Sequence, residues 1–218
     1  MNRSVVRVDN LHKQFRSGGE TVAVFHGLNL TLAPGGSLAL MGRSGSGKST
    51  LLNLLSGLET WSRGRISLFG DELTAGDSLH WSELRRKRIA TVFQEANLMP
   101  AMTLTENVQL RASLAGHDRV DAQGWLDRLG VGALAKRYPD QVSGGQRQRA
   151  ALAMAFAMQP ALLLADEPTG SLDLHTADDV ADVLFTFQRE QGCPMILATH
   201  DSRLAERCGQ IHQLADAA

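Results

Sequence analysis

Residues 38–50, Leu-Ala-Leu-Met-Gly-Arg-Ser-Gly-Ser-Gly-Lys-Ser-Thr, leave this chain the fewest folds to choose from. Gly42, Gly47, Lys48 and Ser49 fill every fixed position of the G-x-x-x-x-G-K-[ST] phosphate loop, and Arg43, Ser44, Gly45 and Ser46 occupy its free positions. Ahead of the loop, the apolar run from Ser37 to Met41 reads as a buried strand. Behind Thr50, residues Leu51, Leu52, Leu54, Leu55 and Leu58 fall at helical spacing. Strand, loop and helix thus stand in the order the motif needs.

The residue types follow from the chemistry of a triphosphate. Concentrated negative charge is held best where several backbone N–H groups converge at a helix N-terminus, and glycines let that backbone approach without a Cβ in the way. Lys48 adds a positive charge for the outer phosphates and Ser49 a hydroxyl for Mg²⁺. The plain alternative is a Gly/Ser turn that happens to precede a helix.

Composition narrows the partners. Of 218 residues, 43% are hydrophobic and 21% charged, enough apolar material for a sizeable core. A net charge of −1 gives no electrostatic reason to expect a nucleic acid or an anionic membrane as partner. Cys193 and Cys208 make neither a metal cluster nor a disulfide framework, and read as inert thiols. The opening residues carry charges where a signal peptide would be apolar, and the longest apolar run, residues 150–158, is too short to span a bilayer. The expectation is a chain that does not cross a membrane by itself and has no regulatory domain.

Val5, Val6 and Val8 look like a first strand, Leu28, Leu30 and Leu32 like a half-buried one, and residues 65–69 like a third between Gly64 and Gly70. These suggest a small antiparallel sheet leaning on a parallel nucleotide-binding core. Residues 89–93 form another short strand. From Thr103 to Gln159 the signals turn helical: Thr103 with Glu106 makes a capping box, Asp118 and Asp121 suit a helix start, and Pro139 interrupts. After Pro160 the α/β rhythm returns, with strands over residues 161–165, 195–199 and 211–214 and a helix over residues 178–187. The whole chain then reads as one domain, with residues 1–93 and 159–218 forming the core and β subdomain, and residues 94–158 an inserted helical lobe.

Two further stations carry chemistry. Leu162, Leu163, Leu164 and Ala165 run into Asp166 and Glu167, and neighbouring residues leaving a strand point to opposite sides, so the two carboxylates can serve different partners. Asp166 is the candidate ligand of Mg²⁺ and Glu167 the candidate polariser of an attacking water; the alternative is an acidic surface turn. Ser143, Gly144, Gly145 and Gln146 open the apolar helix that follows, giving a second helix start suited to an anion.

In this order, Phe15, the phosphate loop, Gln94, residues 143–146, Asp166-Glu167, Ser171-Leu172-Asp173 and His200 resemble the ATP-binding subunit of ABC transporters. The corresponding stations there are the aromatic loop, Walker A, Q-loop, signature, Walker B, D-loop and switch histidine. The resemblance covers nearly the whole chain and implies a P-loop NTPase core with a RecA-like parallel sheet, an antiparallel β subdomain and an inserted α-helical subdomain. The run Leu-Ala-Asp-Glu-Pro-Thr-Gly-Ser-Leu-Asp over residues 164–173 is similar to the group serving lipoprotein release, macrolide-type export and cell division.

By that resemblance, Phe15 stacks on adenine, Gln94 touches Mg²⁺ and water and reports nucleotide state, and His200 meets the γ-phosphate. Asp173 lies across a dimer interface, although an N-cap role suits it equally. Two departures stand out: Val142 replaces the usual leucine before Ser-Gly-Gly-Gln, and Phe15 replaces the commoner tyrosine. The resemblance implies ATP and Mg²⁺ as ligands, a head-to-tail homodimer with ATP at the interface, and integral membrane permease subunits as partners. It also implies a cytoplasmic location, peripheral on the inner face of the membrane. One alternative is an ATPase that recruits or regulates a cell-envelope complex. Another, acting on DNA or ribosomes, is disfavoured by the neutral charge and the single cassette.

Overall fold

A computed structural model describes residues 4–17, 20–170 and 172–215. Two long strands, β1 (Val6–Ser17) and β2 (Glu20–Leu32), pair antiparallel and join β4 (Arg63–Leu68) and β5 (Asp71–Leu73) in a sheet of order β2-β1-β4-β5. The second sheet is parallel: β6 (Ile89–Val92), β7 (Leu162–Asp166), β8 (Met195–Ala198), β3 (Ser37–Met41) and β9 (Gln210–Gln213), in the order β6-β7-β8-β3-β9. Helix α1 (Lys48–Leu55) follows β3, and α2 (Ser78–Lys87) precedes β6. The helices α3 (Leu104–Ala115), α4 (Ala122–Arg128) and α5 (Gly144–Ala157) come next. The chain closes with α6 (Leu174–Gln191) after β7 and α7 (Ser202–Glu206) after β8.

Period-two alternation decides how the layers stack. In β7, Leu162 and Leu164 join the apolar cluster shared with α1 and the antiparallel sheet, while Leu163 and Ala165 join the cluster built on α3, α4, α5 and α6. Strand β8 repeats the division, with Ile196 and Ala198 on one side and Met195 and Leu197 on the other. A parallel sheet buried on both faces needs such uninterrupted apolar runs. The helical lobe has no core of its own: Leu104, Val108, Leu126, Phe156 and the sheet residues Leu163 and Leu197 belong to one continuous cluster.

Sequence and structure differ where local signals are weak. Helix α2 escapes a periodicity reading because Trp81 and Leu84 are its only buried residues, although Asp77 caps it by accepting from the His80 amide at 3.1 Å. Strand β5 and helix α7 are three and five residues long and equally silent. Helix α1 stops at Leu55, and Leu58, assigned to it by spacing, lies beyond it and half exposed. Asp118 caps nothing and accepts instead from the Ser113 hydroxyl at 2.8 Å, whereas Asp121 caps α4. The Thr103–Glu106 capping box is present at α3. Phe15 belongs to strand β1 and pairs with Val22, so it is not a loop residue. Among the described residues, no helix is long and apolar enough to cross a membrane.

Candidate nucleotide site

The order β6-β7-β8-β3 places four chain exits side by side at the C-terminal edge of the parallel sheet, where open α/β sheets bind ligands. Gln94 follows β6, Asp166 ends β7 with Glu167 directly after it, His200 follows β8, and the phosphate loop follows β3. These stations are scattered over more than a hundred residues of sequence and meet only because the strands do. Together they line a cleft of about 750 Å³ with Phe15, Val24, Ser44, Gly45, Gly47, Lys48, Ser49, Thr50 and Gly170.

The loop between β3 and α1 is shaped by its glycines. Gly42 has a φ of 156°, and a Cβ there would run into the Ser46 hydroxyl; at Gly47, with φ 95°, a Cβ would meet Val24 Cγ1 at 2.5 Å. At these two positions the backbone comes too close to Ser46 and to β2 to carry a side chain, whereas a Cβ at Gly45 would meet open space. Lys48 is buried to 9% exposure, and its ammonium donates to the carbonyl oxygens of Gly42 (2.8 Å) and Arg43 (3.2 Å), drawing the loop into a ring. No side chain caps α1 at Gly47, so the amides of its first turn are not claimed from within the loop. The Ser46 hydroxyl is buried and also has no partner.

Opposite the loop, burial pushes the Asp166 carboxyl above the ordinary aspartate range. A hydrogen bond from the Ser49 hydroxyl works against that shift, the Glu167 charge adds to it, and the Lys48 charge lowers it. A serine hydroxyl and a carboxylate, both hard oxygen donors, thus meet beside the phosphate loop, with the Gln94 side chain in the same cleft. This donor set fits Mg²⁺, which takes a few protein oxygens and completes its shell with phosphate and water.

Glu167 sits at φ 45°, a left-handed conformation that costs a non-glycine residue of order 1–3 kcal/mol and is concentrated at functional sites. Its amide stays in the sheet ladder, donating to the Ala198 carbonyl at 2.9 Å, while its carboxylate turns to His200, with Oε2 2.9 Å from Nδ1. The glutamate side chain is 14% exposed and the histidine 72%. The pair therefore has a sheltered carboxylate and a ring open to the cleft.

Two groups of candidates lie outside the cleft. Ser143 caps α5, its hydroxyl accepting from the Gln146 amide at 3.3 Å while Gln146 Oε1 accepts from the Ser143 amide at 2.8 Å. Gly144 and Gly145 form the first turn behind it, and none of these residues borders the cleft. Asp173 caps α6 by accepting from the Thr176 amide at 3.1 Å, the N-cap role its position allowed. Ser171 lies outside the described residues. A contact that sequence reasoning missed joins the regions: the buried Gln148 of α5 donates to the Phe93 carbonyl at 2.9 Å, immediately before Gln94. Its only sequence signal is a polar residue two places before the alanine-rich stretch. Burial pushes the Cys193 thiol up to about 12 and the Cys208 thiol to about 11.

Fold and site together define a P-loop ATPase. The sequence profile of the ABC transporter family matches residues 25–170. The chain is 42% identical over 217 residues to an uncharacterized ABC transporter ATP-binding protein, YbbA, of Escherichia coli K12, covering 98% of this chain and 95% of that one. It is 43% identical to the lipoprotein-releasing system ATP-binding protein LolD of Anaeromyxobacter dehalogenans, covering 97% and 90%. Among solved structures it resembles the ATP-binding cassette MJ0796 in a dimeric post-hydrolysis state bound to ADP and Pi. There the TM-score is 0.90 and the identity 32%, over 97% of this chain and 94% of that one. The chain belongs to the ABC transporter family, as one of its ATP-binding, ATP-hydrolysing members.

Proposed function

We propose that this chain is a single ABC ATP-binding domain that closes as a head-to-tail homodimer over Mg²⁺-ATP and energises separate membrane permease subunits of an export or envelope-release system. One contrast carries the reading: Lys48, Ser49, Asp166, Glu167 and His200 converge in one cleft, while Ser143 to Gln146, the other phosphate-type helix start, stands outside it. A site so divided within one chain is completed by a second copy.

In the proposed mechanism, Phe15 holds the adenine, the residue 42–50 backbone and Lys48 cradle the phosphates, and Ser49, Asp166 and Gln94 hold Mg²⁺, which neutralises phosphate charge when bound. Glu167 accepts a proton from the attacking water, and His200, fixed by the Glu167 carboxylate, faces the γ-phosphate. The Ser143 tip and Asp173 of the second copy approach from the opposite side. Gln94, tied to α5 through Phe93 and Gln148, passes nucleotide state to the helical lobe and thence to the permease on the inner face of the membrane. The likeness to a lipoprotein-releasing relative supports the envelope assignment.

Scattering of the Glu167→Gln variant with ATP tests the reading: a dimer is expected, reverting when ATP is withdrawn. Monomers alone, even with the co-purified permease present, would overturn it.

A further inference from the structure

Lys13 is 7% exposed, an unusual depth for a lysine, and lies two residues before Phe15 on the same strand. Its ammonium sits 4.3 Å from the centre of the Phe15 ring. Two acceptors hold it there: Glu59 Oε2 at 2.5 Å and the Thr60 carbonyl at 2.7 Å. Both acceptors belong to the segment that follows α1, the helix whose other end is the phosphate loop. Phe15 itself is 39% exposed and borders the nucleotide cleft.

We infer that Lys13, anchored by Glu59 and Thr60, is a positioning residue for the nucleobase, fixing and polarising the Phe15 ring. This rests on the reading that Phe15 carries the adenine. A tyrosine could fix its ring through a hydroxyl; Phe15 has none, and the ammonium supplies the missing constraint. A cation on one face of a ring draws π-density toward itself, so the face left for an electron-rich purine repels it less. Because the anchor lies at the far end of the phosphate-loop helix, the base platform and the phosphate cradle are held at a fixed spacing. The spacing of a part-buried ion pair across 46 residues is invisible in the sequence.

The experiment is calorimetric titration of the full chain with ATP, with GTP and with inorganic tripolyphosphate, which has phosphates and no base. Lys13→Met keeps the length of the side chain and removes the charge. ATP is expected to bind about 3- to 10-fold more weakly, GTP to lose at least as much because guanine is the more electron-rich base, and tripolyphosphate affinity to stay unchanged. In a Phe15→Ala background the same substitution should add nothing. If Phe15→Ala weakens ATP and Lys13→Met does not, the inference falls while the nucleotide reading stands. If Phe15→Ala leaves ATP binding intact, the adenine-platform reading falls and takes the inference with it. Should Lys13→Met fail to fold, Lys13→Gln, which removes the charge and keeps a donor for the Thr60 carbonyl, replaces it: a selective loss of ATP over tripolyphosphate of about twofold or more supports the role, and equal retention of both overturns it.

Discussion

Two helix starts in this molecule are made of nearly the same residues and do opposite things. At α1, Gly-Ser-Gly-Lys-Ser leads into a helix whose N-cap, Gly47, has no side chain to offer, and whose loop closes through the buried Lys48. At α5, Ser-Gly-Gly-Gln leads into a helix whose own capping box engages the Ser143 and Gln146 amides. The first borders the cleft and has no side-chain cap; the second is exposed, lies outside the cleft and is closed by its own capping box. Helix dipole and glycine content do not distinguish them. What separates them is whether a side chain of the same turn closes the end and whether the sheet edge surrounds it.

The largest expected break in this comparison comes from inside the cleft. Glu167→Gln should slow ATP hydrolysis by on the order of 10²- to 10⁴-fold while leaving ATP binding intact. Steady-state turnover against calorimetric affinity reads the split, and ordinary turnover would remove Glu167 from the mechanism. Next, Lys48→Ala deletes a charge-assisted contact worth about 1.5–3 kcal/mol, so ATP affinity should fall roughly 10- to 150-fold. Unchanged affinity would argue against the phosphate-loop assignment.

The tip should respond differently. Ser143→Ala removes a cap and should lower stability by about 0.5–2 kcal/mol in denaturant unfolding. ATP affinity of the isolated chain should remain at the parent level, while ATP-driven dimerisation is lost. A drop in monomer affinity would show that the two helix starts serve one site within one chain.

A subtler effect tests the electrostatics. The Asp166 carboxyl titrates above its usual value of 3.8 in the folded chain because burial disfavours its charge. The folded state therefore holds that proton more tightly than the unfolded one, so this contribution to stability is full below the usual value and is lost as pH rises through the folded one. Without divalent cation, Asp166→Asn should melt higher than the parent at neutral pH, with the gap closing toward acid; a gap that widens in acid would reverse the sign argued here. The smallest expected signal is from the thiols: with Cys193 near 12 and Cys208 near 11, native protein at pH 8 should resist iodoacetamide and label only after unfolding.

Legibility followed the length and closure of each signal. The strand over residues 37–41, the start of the helix after the phosphate loop, the capping box at Thr103, the helix start at Ser143 and the apolar runs of β7 and β8 depend on contacts within a few residues, and all stand within a residue of where the sequence suggests. Helix α2 was hidden because only Trp81 and Leu84 face the core, too few for a period. Phe15 reads as a loop residue by resemblance, yet β1 runs on to Ser17 because β2 pairs with it that far. Nothing near Gln148 or Lys13 in the sequence points to their partners: the Phe93 carbonyl and Glu59 lie 55 and 46 residues away.

By itself the sequence determined the chemistry on offer: a phosphate loop, two carboxylates at a strand end, a serine-capped helix start, and a charge balance giving no sign of nucleic acid. Those depend on residue type and short spacing, which bond geometry turns into local structure without help. Only the tertiary structure decided which of them meet. Strand order brought Gln94, Asp166, Glu167 and His200 to one edge beside Lys48 and left Ser143 outside, because sheet neighbours are chosen by buried apolar faces and not by proximity along the chain.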